Sequence, residues 1–372
     1  TTTQSLRDFH NLYVKSKLIT SVSNRDDTLI DYAVGKAGDL SKWIESNLKF
    51  VLGIDISKDN ISNVIDGACT RYLNAHKTYK NIPDALFING NSGYNIRTGK
   101  AFTEIDVRTN KPFATDTELQ ISNAVFGIGP KDMDLLGKGV YKQYGVAEAG
   151  FNVSSCQFAL HYFFESEYSI HQFLRNVSEC TKQDGYFIGT CYDGITVFNM
   201  LSKKEKSESI TIYKDDYKMF EIAKMYDHTG FPDDETSIGY GINVYQESIN
   251  QMFREYLVNF KFLVRLMDDY GFNLISTDEA THMNLPNSSG LFTELFVQME
   301  NEIKNKTKNT VDYRHALLLS PEEKRVSFLN RYFVFKKVRS VDAAEISNSI
   351  IKKINKDQIN TYVSEDYSNN AT

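Results

Sequence analysis

Short apolar segments alternate with amphipathic segments along roughly the first half of the chain. The apolar segments are predicted strands and the amphipathic ones are predicted helices. The predicted strands are 29–33, 50–55, 85–88, 152–158 and 185–190, and the predicted helices are 6–19, 40–48, 61–79 and 170–180. Alternating strands and helices are typical of a parallel sheet with helices on its faces. We therefore predict an α/β fold with a doubly wound, largely parallel sheet.

The pattern changes after about residue 197. Segments 209–220 and 239–244 alternate apolar and polar residues as antiparallel strands do, with a polar turn at 232–235. This predicts an antiparallel lid inserted at about 197–250. A helix at 256–270 and a strand at 331–336 complete a predicted domain of residues 1–340. The tail, 341–372, is polar, and we expect one helix in it and disorder from 364 to 372.

Composition narrows the class of protein. No apolar run approaches the roughly 20 residues that a membrane span needs, and the four cysteines show no metal-ligand spacing. We expect free thiols in a reducing compartment. The formal charge of −6 disfavours a long electrostatic grip on nucleic acid, but it permits a pocket that encloses one nucleotide end. The chain starts at Thr1 without a Met, so we expect a fragment or a processed product.

A glycine-containing turn follows the first predicted strand. It reads IDYAVGKAGD, with Gly35 and Gly38 in the turn and Asp31 before it. The Gly-x-Gly-x-x-Gly pattern of dinucleotide sites is missing, which disfavours a nicotinamide dehydrogenase. The turn instead fits a cofactor without phosphates, such as S-adenosylmethionine, whose ribose Asp55 is placed to bind. A purely structural turn remains the alternative.

The segment 156–166, CQFALHYFFES, places His161 beside Tyr162 at a strand end. This segment resembles the RNA cap guanine-N7 methyltransferases, in which a His-Tyr pair follows Cys-Gln-Phe. Further similar segments occur in the family's order at 6–19, 53–57, 70–72, 185–190 and 255–258. The resemblance covers roughly residues 6 to 338. It implies the class I S-adenosylmethionine-dependent fold and transfer of a methyl group to N7 of the guanine of a 5′ cap.

The resemblance also implies residue roles. Residues expected to bind the cofactor are Asn11, Lys15, Asp31, Gly35, Asp55, Asn91 and Gln157. Residues expected to bind the cap are His161, Tyr162, Glu255, Tyr332, Arg71 and Lys36. Asn91 stands where the family has an Asp. No metal is expected, and no residue is expected to perform covalent or acid–base chemistry, because N7 already carries a free lone pair.

Other interpretations remain open. His161 and Tyr162 are equally compatible with a structural strand end, Glu255 with the start of a helix, and Tyr332 with the core. The main alternative function is a non-catalytic cap- or RNA-binding module that keeps the fold. A methyltransferase acting on a small molecule or on another RNA position is a second alternative.

Segment 239–249 is most similar to the versions carried by large cytoplasmic DNA viruses. The resemblance therefore implies capped RNA and S-adenosylmethionine as partners, within a larger multifunctional capping polypeptide. It raises a stimulatory subunit as a further partner. It also implies location in the host cytoplasm or the virion, and not in a membrane.

Overall fold

The computed structural model describes residues 3–369, with side chains as far as residue 357. Its strands form an eight-stranded sheet, a four-stranded sheet and a two-stranded hairpin. The strands are β1 (Thr28–Asp31), β2 (Phe50–Asp55), β3 (Asp84–Asn89), β4 (Ile105–Asp106), β5 (Lys111–Pro112), β6 (Phe151–Gln157), β7 (Thr181–Tyr192), β8 (Ser209–Lys214), β9 (Tyr217–Lys224), β10 (Gly241–Gln246), β11 (Gln251–Tyr256), β12 (Phe272–Leu274), β13 (Ser289–Leu291) and β14 (Asn330–Lys337).

The large sheet has the order β12-β14-β7-β6-β1-β2-β3, and β13 also pairs with β14. Strands β7, β6, β1, β2 and β3 run parallel, whereas β14 is antiparallel to β7. The predicted α/β fold with a largely parallel sheet is confirmed. The chain order reverses between β1 and β6, and ligands of such sheets bind in the crevice at the carboxyl ends of these strands.

Helices cover both faces of this sheet. They are Gln4–Asp8, the π-helical Phe9–Lys15, Ser16–Val22, Leu40–Glu45, Lys58–Ser62, Ala68–Thr78, Lys100–Thr103, Asp116–Val125, Met133–Leu136, Lys138–Tyr141, Leu160–Phe163, Glu167–Cys180, Gly194–Met200, Phe260–Asp269, Thr277–His282, Phe292–Lys304, Pro321–Ser327 and Ala343–Asn369, with 3₁₀ turns at Glu235–Ser237, Thr310–Tyr313 and Ala316–Leu318. Within the described residues, no helix is both long enough and apolar enough to cross a membrane.

Alternation along the strands creates the two layers of the core. Leu29 packs with Phe9 and Trp43 on one face, and its neighbour Ile30 packs with Phe173 on the other; all five side chains are fully buried. Successive strand residues point to opposite faces, so a strand that is apolar throughout must be covered on both sides. The buried runs that suggested strands in the sequence therefore also account for the double layer of helices.

The lid is the four-stranded antiparallel sheet β11-β10-β9-β8. Its inner face packs with Tyr192, Val197 and Leu257 in a core of its own. The sheet ends at Tyr256, beyond the expected boundary near 250. Two helix predictions were wrong in detail: the helix predicted at 256–270 begins at Phe260, and the one at 61–79 is two helices separated by a turn.

The start of the C-terminal tail packs on the sheet domain. Ala343 is only 3% exposed, and Nε2 of Gln172 donates to Oγ of Ser347 at 2.9 Å. The predicted tail helix is confirmed as Ala343–Asn369, so the disorder expected from residue 364 is not found up to Asn369. Residues 370–372 of that prediction lie outside the described residues.

Candidate functional site

Polar side chains end the parallel strands at the crevice. Strands β1, β2, β3, β6 and β7 finish at Asp31, Asp55, Asn89, Gln157 and Tyr192. Because these strands are parallel neighbours, their final residues lie along one edge of the sheet. The fold therefore gathers at this edge the residues that the sequence distributes over 160 positions.

Asp55 is held in one orientation by the glycine turn. Its Oδ2 accepts from the Gly35 N–H at 2.8 Å, and its Oδ1 accepts from the Ser57 N–H at 2.9 Å. The side chain of Asn89 donates to the Asp55 carbonyl at 2.8 Å. Gly35 has φ +57°, a left-handed conformation that glycine adopts without a Cβ penalty. The carboxylate at the end of β2 is thus preorganised.

Asp31 is a carboxyl group in an unfavourable place for a negative charge. It is 3% exposed, and burial raises its pKa to about 8, with the nearby Asp39 carboxylate adding to the effect. A buried carboxyl of this kind becomes a better anion when a cation binds beside it. Asp31 therefore suits a positively charged ligand.

A buried ion cluster lies next to Asp31. The Nζ atoms of Lys15 and Lys42 lie 3.0 and 3.1 Å from Oδ1 of Asp39. Burial alone would raise the pKa of Asp39, but the two ammonium groups outweigh it and lower that pKa. Asp39 and Lys42 were missed in the sequence. The available signal was a lysine three residues after an aspartate, one helical turn apart at the start of a helix.

These groups fit S-adenosylmethionine by their chemistry. Asp31 is a buried carboxyl whose anion the sulfonium would stabilise. Asp55 can accept hydrogen bonds from the ribose hydroxyls, and the Lys15 ammonium suits the carboxylate of the methionine part. Asn11 is exposed on the same π-helical segment as Lys15. The other two expected cofactor residues use their oxygens locally: Asn91 accepts from the Gly93 N–H at 2.8 Å, and Gln157 accepts from the Thr190 hydroxyl at 3.1 Å.

His161 on helix Leu160–Phe163 meets Glu255 on lid strand β11. Nε2 of His161 lies 3.6 Å from Oε1 of Glu255, and the residues are 4% and 7% exposed. Both ring nitrogens and Oε2 of Glu255 are buried with no hydrogen-bond partner among the described residues. Buried polar atoms in native proteins nearly always have partners, so this group is arranged for a ligand that supplies them.

Burial sets the charges of His161 and Glu255. It lowers the pKa of His161 to about 3 and raises that of Glu255 to about 8. The imidazole is therefore neutral at pH 7, and the Glu255 carboxyl holds its proton until a ligand stabilises the anion. A ligand with N–H donors would do this.

Two tyrosines flank the pair. Tyr162 is 44% exposed with its ring centroid 4.1 Å from that of His161. Burial raises the pKa of Tyr162, and the carboxylates of Glu255 and Asp55 raise it further. The Tyr192 hydroxyl accepts a hydrogen bond from Nε2 of Gln246 on the lid at 2.9 Å.

The prediction that Tyr332 contacts the base needs correction. Its side chain is fully buried, and its hydroxyl donates toward Oε2 of Glu294 at 3.2 Å. Its neighbour Arg331 instead reaches Asp193 at 3.0 Å. Strand alternation sends these two side chains to opposite faces, and Tyr332 lies on the face covered by helix Phe292–Lys304.

Lys36 and Arg71, expected at the cap phosphates, lie near one carboxylate. Nζ of Lys36 donates to both oxygens of Asp66 at 2.8 and 2.9 Å. This contact, followed by the charges of Lys36 and Arg71, lowers the pKa of Asp66. Arg71 is exposed. The two cations are therefore neighbours, but Lys36 would have to exchange Asp66 for a phosphate.

Comparison with known proteins adds independent information. The model of the mRNA (guanine-N(7))-methyltransferase domain matches residues 2–110 and 123–338. The probable mRNA-capping enzyme of Acanthamoeba polyphaga mimivirus is 26% identical over 375 residues, which cover 94% of this chain and 29% of that protein. The mRNA cap guanine-N(7) methyltransferase 1 of Arabidopsis thaliana is 28% identical over 198 residues, 53% of this chain and 42% of that protein.

A fungal relative matches over a longer stretch than the Arabidopsis protein does. The mRNA cap guanine-N(7) methyltransferase of Candida glabrata is 25% identical over 342 residues, which cover 90% of this chain and 67% of that protein. The chain thus spans less than half the length of the mimivirus and Arabidopsis proteins. The segment that the domain model leaves out, 111–122, holds β5 and the start of helix Asp116–Val125.

Proposed function

Because this chain belongs to the mRNA (guanine-N(7))-methyltransferase domain family, we propose that it transfers the methyl group of S-adenosylmethionine to N7 of the guanine in a 5′ GpppN cap. One observation carries the proposal: the buried, unpartnered polar atoms of His161 and Glu255 beside Tyr162. A purine with N–H donors on one edge would supply what these atoms lack.

Glu255 would recognise the Watson–Crick edge of guanine. The N1–H and the exocyclic amino group of guanine are adjacent donors, which a carboxylate accepts together. Such binding stabilises the ionised carboxylate. Methylation makes the base a cation, and a nearby anion favours that charge in the transition state as well as in the product. His161, being neutral, would hydrogen-bond to the base or ribose without opposing that charge.

S-adenosylmethionine supplies a methyl group on a positively charged sulfonium. Asp31 and Asp55 would hold its sulfonium side and its ribose, and Lys15 would hold its carboxylate. The Tyr162 ring packs against that of His161, and we propose that its side chain helps to keep the two ligands in line.

No residue of the chain needs to remove a proton, because N7 of guanine has an available lone pair. The protein would accelerate the reaction by alignment and by exclusion of water. The lid sheet contributes here, because β11 carries Glu255 over the crevice.

The test is to incubate the protein with labelled S-adenosylmethionine and GpppA, and to identify the methylated atom. We expect label at N7 of the guanine. Label at another position of the cap or RNA, or none with GpppA and capped RNA, would overturn the proposal. The alternative of a non-catalytic cap-binding module is distinguished by calorimetry, since it predicts cap binding with no methyl transfer.

We also propose that the chain forms part of a larger viral capping polypeptide, which acts in the host cytoplasm or virion. Its support is the 94% coverage of this chain within 29% of the mimivirus protein. Among large cytoplasmic DNA viruses, the sequence resemblance points to the capping enzyme of African swine fever virus. A stimulatory subunit belongs to the same proposal. Full turnover by this chain alone would exclude the need for one.

A further inference from the structure

The turn that carries His161 and Tyr162 begins at a residue with an uncommon backbone conformation. Phe158, the first residue after β6, has φ +54°. A bulky side chain at a left-handed backbone position is a true outlier, and such positions persist only where their surroundings fix them. The Phe158 N–H donates both to the carbonyl of Thr190 at 3.1 Å and to its hydroxyl at 2.9 Å.

The ring of Phe158 is fixed by the N-terminal helix. Its centroid lies 5.2 Å from that of His10, with the two rings only 19° from parallel. Phe292 packs edge-on against both rings. Nε2 of His10 lies 2.7 Å from Oγ of Ser327, within hydrogen-bond distance. His10 is therefore held from two sides while its face covers Phe158.

His10 lies in the π-helical segment Phe9–Lys15, which also carries Asn11 and Lys15. π-helical turns are rare and are frequent at functional sites. Burial lowers the pKa of His10 to about 3, and the nearby charge of Lys15 lowers it further, so the stacked ring is neutral. Lys15 in turn contacts Asp39 in the proposed cofactor site.

From these contacts we propose that His10 is a positioning residue that links the cofactor site to the cap site. A cofactor held by Lys15 restricts the motion of the π-helical segment. Because His10 stacks on Phe158, the turn bearing His161 and Tyr162 is then restricted as well. Cofactor and cap then strengthen each other's binding, by the same factor in both directions. This inference rests on the proposed function.

The test measures that coupling by calorimetry on the whole chain, with GpppA titrated in the absence and presence of saturating S-adenosylhomocysteine. We expect S-adenosylhomocysteine to lower the Kd of GpppA about tenfold in the unchanged protein. His10→Ala should reduce the effect to less than about twofold. His10→Phe keeps an aromatic face and should retain most of the coupling.

Phe158→Gly serves as a second variant if His10→Ala fails to fold. Glycine suits the left-handed backbone, so this change should keep the turn while removing the stacked ring, and it should lose the coupling too. His282→Ala is the matched control, since His282 is exposed and should leave the coupling unchanged.

Three results would overturn the link: an unchanged protein without coupling, a folded His10→Ala or Phe158→Gly variant with full coupling, or loss of coupling in His10→Phe equal to that in His10→Ala. Methylation of GpppA by the unchanged protein is measured alongside. A protein that methylates N7 but shows no coupling contradicts this inference alone, whereas one that transfers no methyl group contradicts the proposed function.

Discussion

Glu255 and His161 lie 3.6 Å apart although one belongs to the lid sheet and the other to a helix of the main domain. Glu255 is on lid strand β11, paired with Ile242, and His161 is on the short helix that follows β6. The pair therefore forms only where the lid contacts the main domain. This dependence makes Glu255 the residue whose replacement tests the site most directly.

Glu255→Gln should lower kcat/KM for GpppA by roughly 100-fold, because an amide offers guanine one acceptor and an unwanted donor in place of a carboxylate. Binding of S-adenosylhomocysteine should stay within about twofold of the unchanged protein, since the cofactor residues lie on other strands. Steady-state methylation assays and calorimetry measure the two effects. Glu300→Gln, at an exposed position, is the control. Unaltered turnover in Glu255→Gln would remove Glu255 from the cap site.

Binding of the cap near neutral pH should release a proton from Glu255. Its pKa of about 8 in the unliganded protein means that roughly 90% of the molecules carry the proton at pH 7. Guanine N–H donors favour the anion and displace that proton. Calorimetric titration with GpppA at pH 7 should give different binding enthalpies in phosphate and in Tris buffer. The difference should be close to the difference between the ionisation enthalpies of the two buffers, as expected for the release of about one proton. Equal enthalpies in both buffers would contradict the assignment.

The raised pKa of Glu255 should make the folded protein less stable as the pH rises. The pKa of Glu255 in the folded protein lies above 4.5, the ordinary value for a glutamate. The contribution of Glu255 to stability is therefore fully present below pH 4.5 and is lost as the pH rises through about 8. Glu255→Gln should remove this loss, so the stability difference between variant and unchanged protein should grow in the variant's favour from pH 5 to pH 8. Urea unfolding at several pH values measures it.

The first turn of the C-terminal helix should contribute to stability. Ala343→Glu would bury a charge at a position that is 3% exposed, at a cost of about 3 kcal/mol. Ser349→Glu places the same charge at an exposed position of the same helix and is the control. Urea unfolding followed by circular dichroism compares them. Equal midpoints for the two variants would mean that the helix is detached from the domain.

The sequence predicted the parallel sheet well because β1 and β2 are largely apolar runs that are buried on both faces. Asp31 and Asp55 could be placed because the carboxyl ends of such strands meet in the crevice. By contrast, β12 and β13 have three residues each. Strands this short show no periodicity, and both went unnoticed.

Other errors arose where tertiary contacts decide. The sequence around Glu255 is compatible with the end of a strand or the start of a helix. Its pairing with Ile242 of β10 makes it part of a strand. Whether Tyr332 faces the crevice or the opposite layer depends on strand register, which the isolated sequence of β14 does not define. Lys42 is a buried lysine, and its spacing of three residues from Asp39 does not show that either side chain is buried.

The ion cluster of Asp39 with Lys15 and Lys42, which the sequence analysis did not identify, should contribute to both stability and cofactor binding. Asp39→Asn would leave the ammonium of Lys42, whose side chain is 4% exposed, without its counter-ion, and should destabilise the fold by about 3 kcal/mol. It should also weaken binding of S-adenosylhomocysteine, because Lys15 loses the partner that positions it.

The two effects of this change can be separated. In Asp39→Leu with Lys42→Met, both buried charges are gone, so most of the stability should return while the cofactor affinity stays low. Asp59→Asn, whose side chain is 68% exposed, is the matched control for loss of a carboxylate near the same turn. Denaturant unfolding and calorimetry with S-adenosylhomocysteine give the two readouts. If Asp39→Asn unfolds at the midpoint of the unchanged protein, Lys42 cannot depend on Asp39. If the double variant binds the cofactor normally, Lys15 is positioned by other groups.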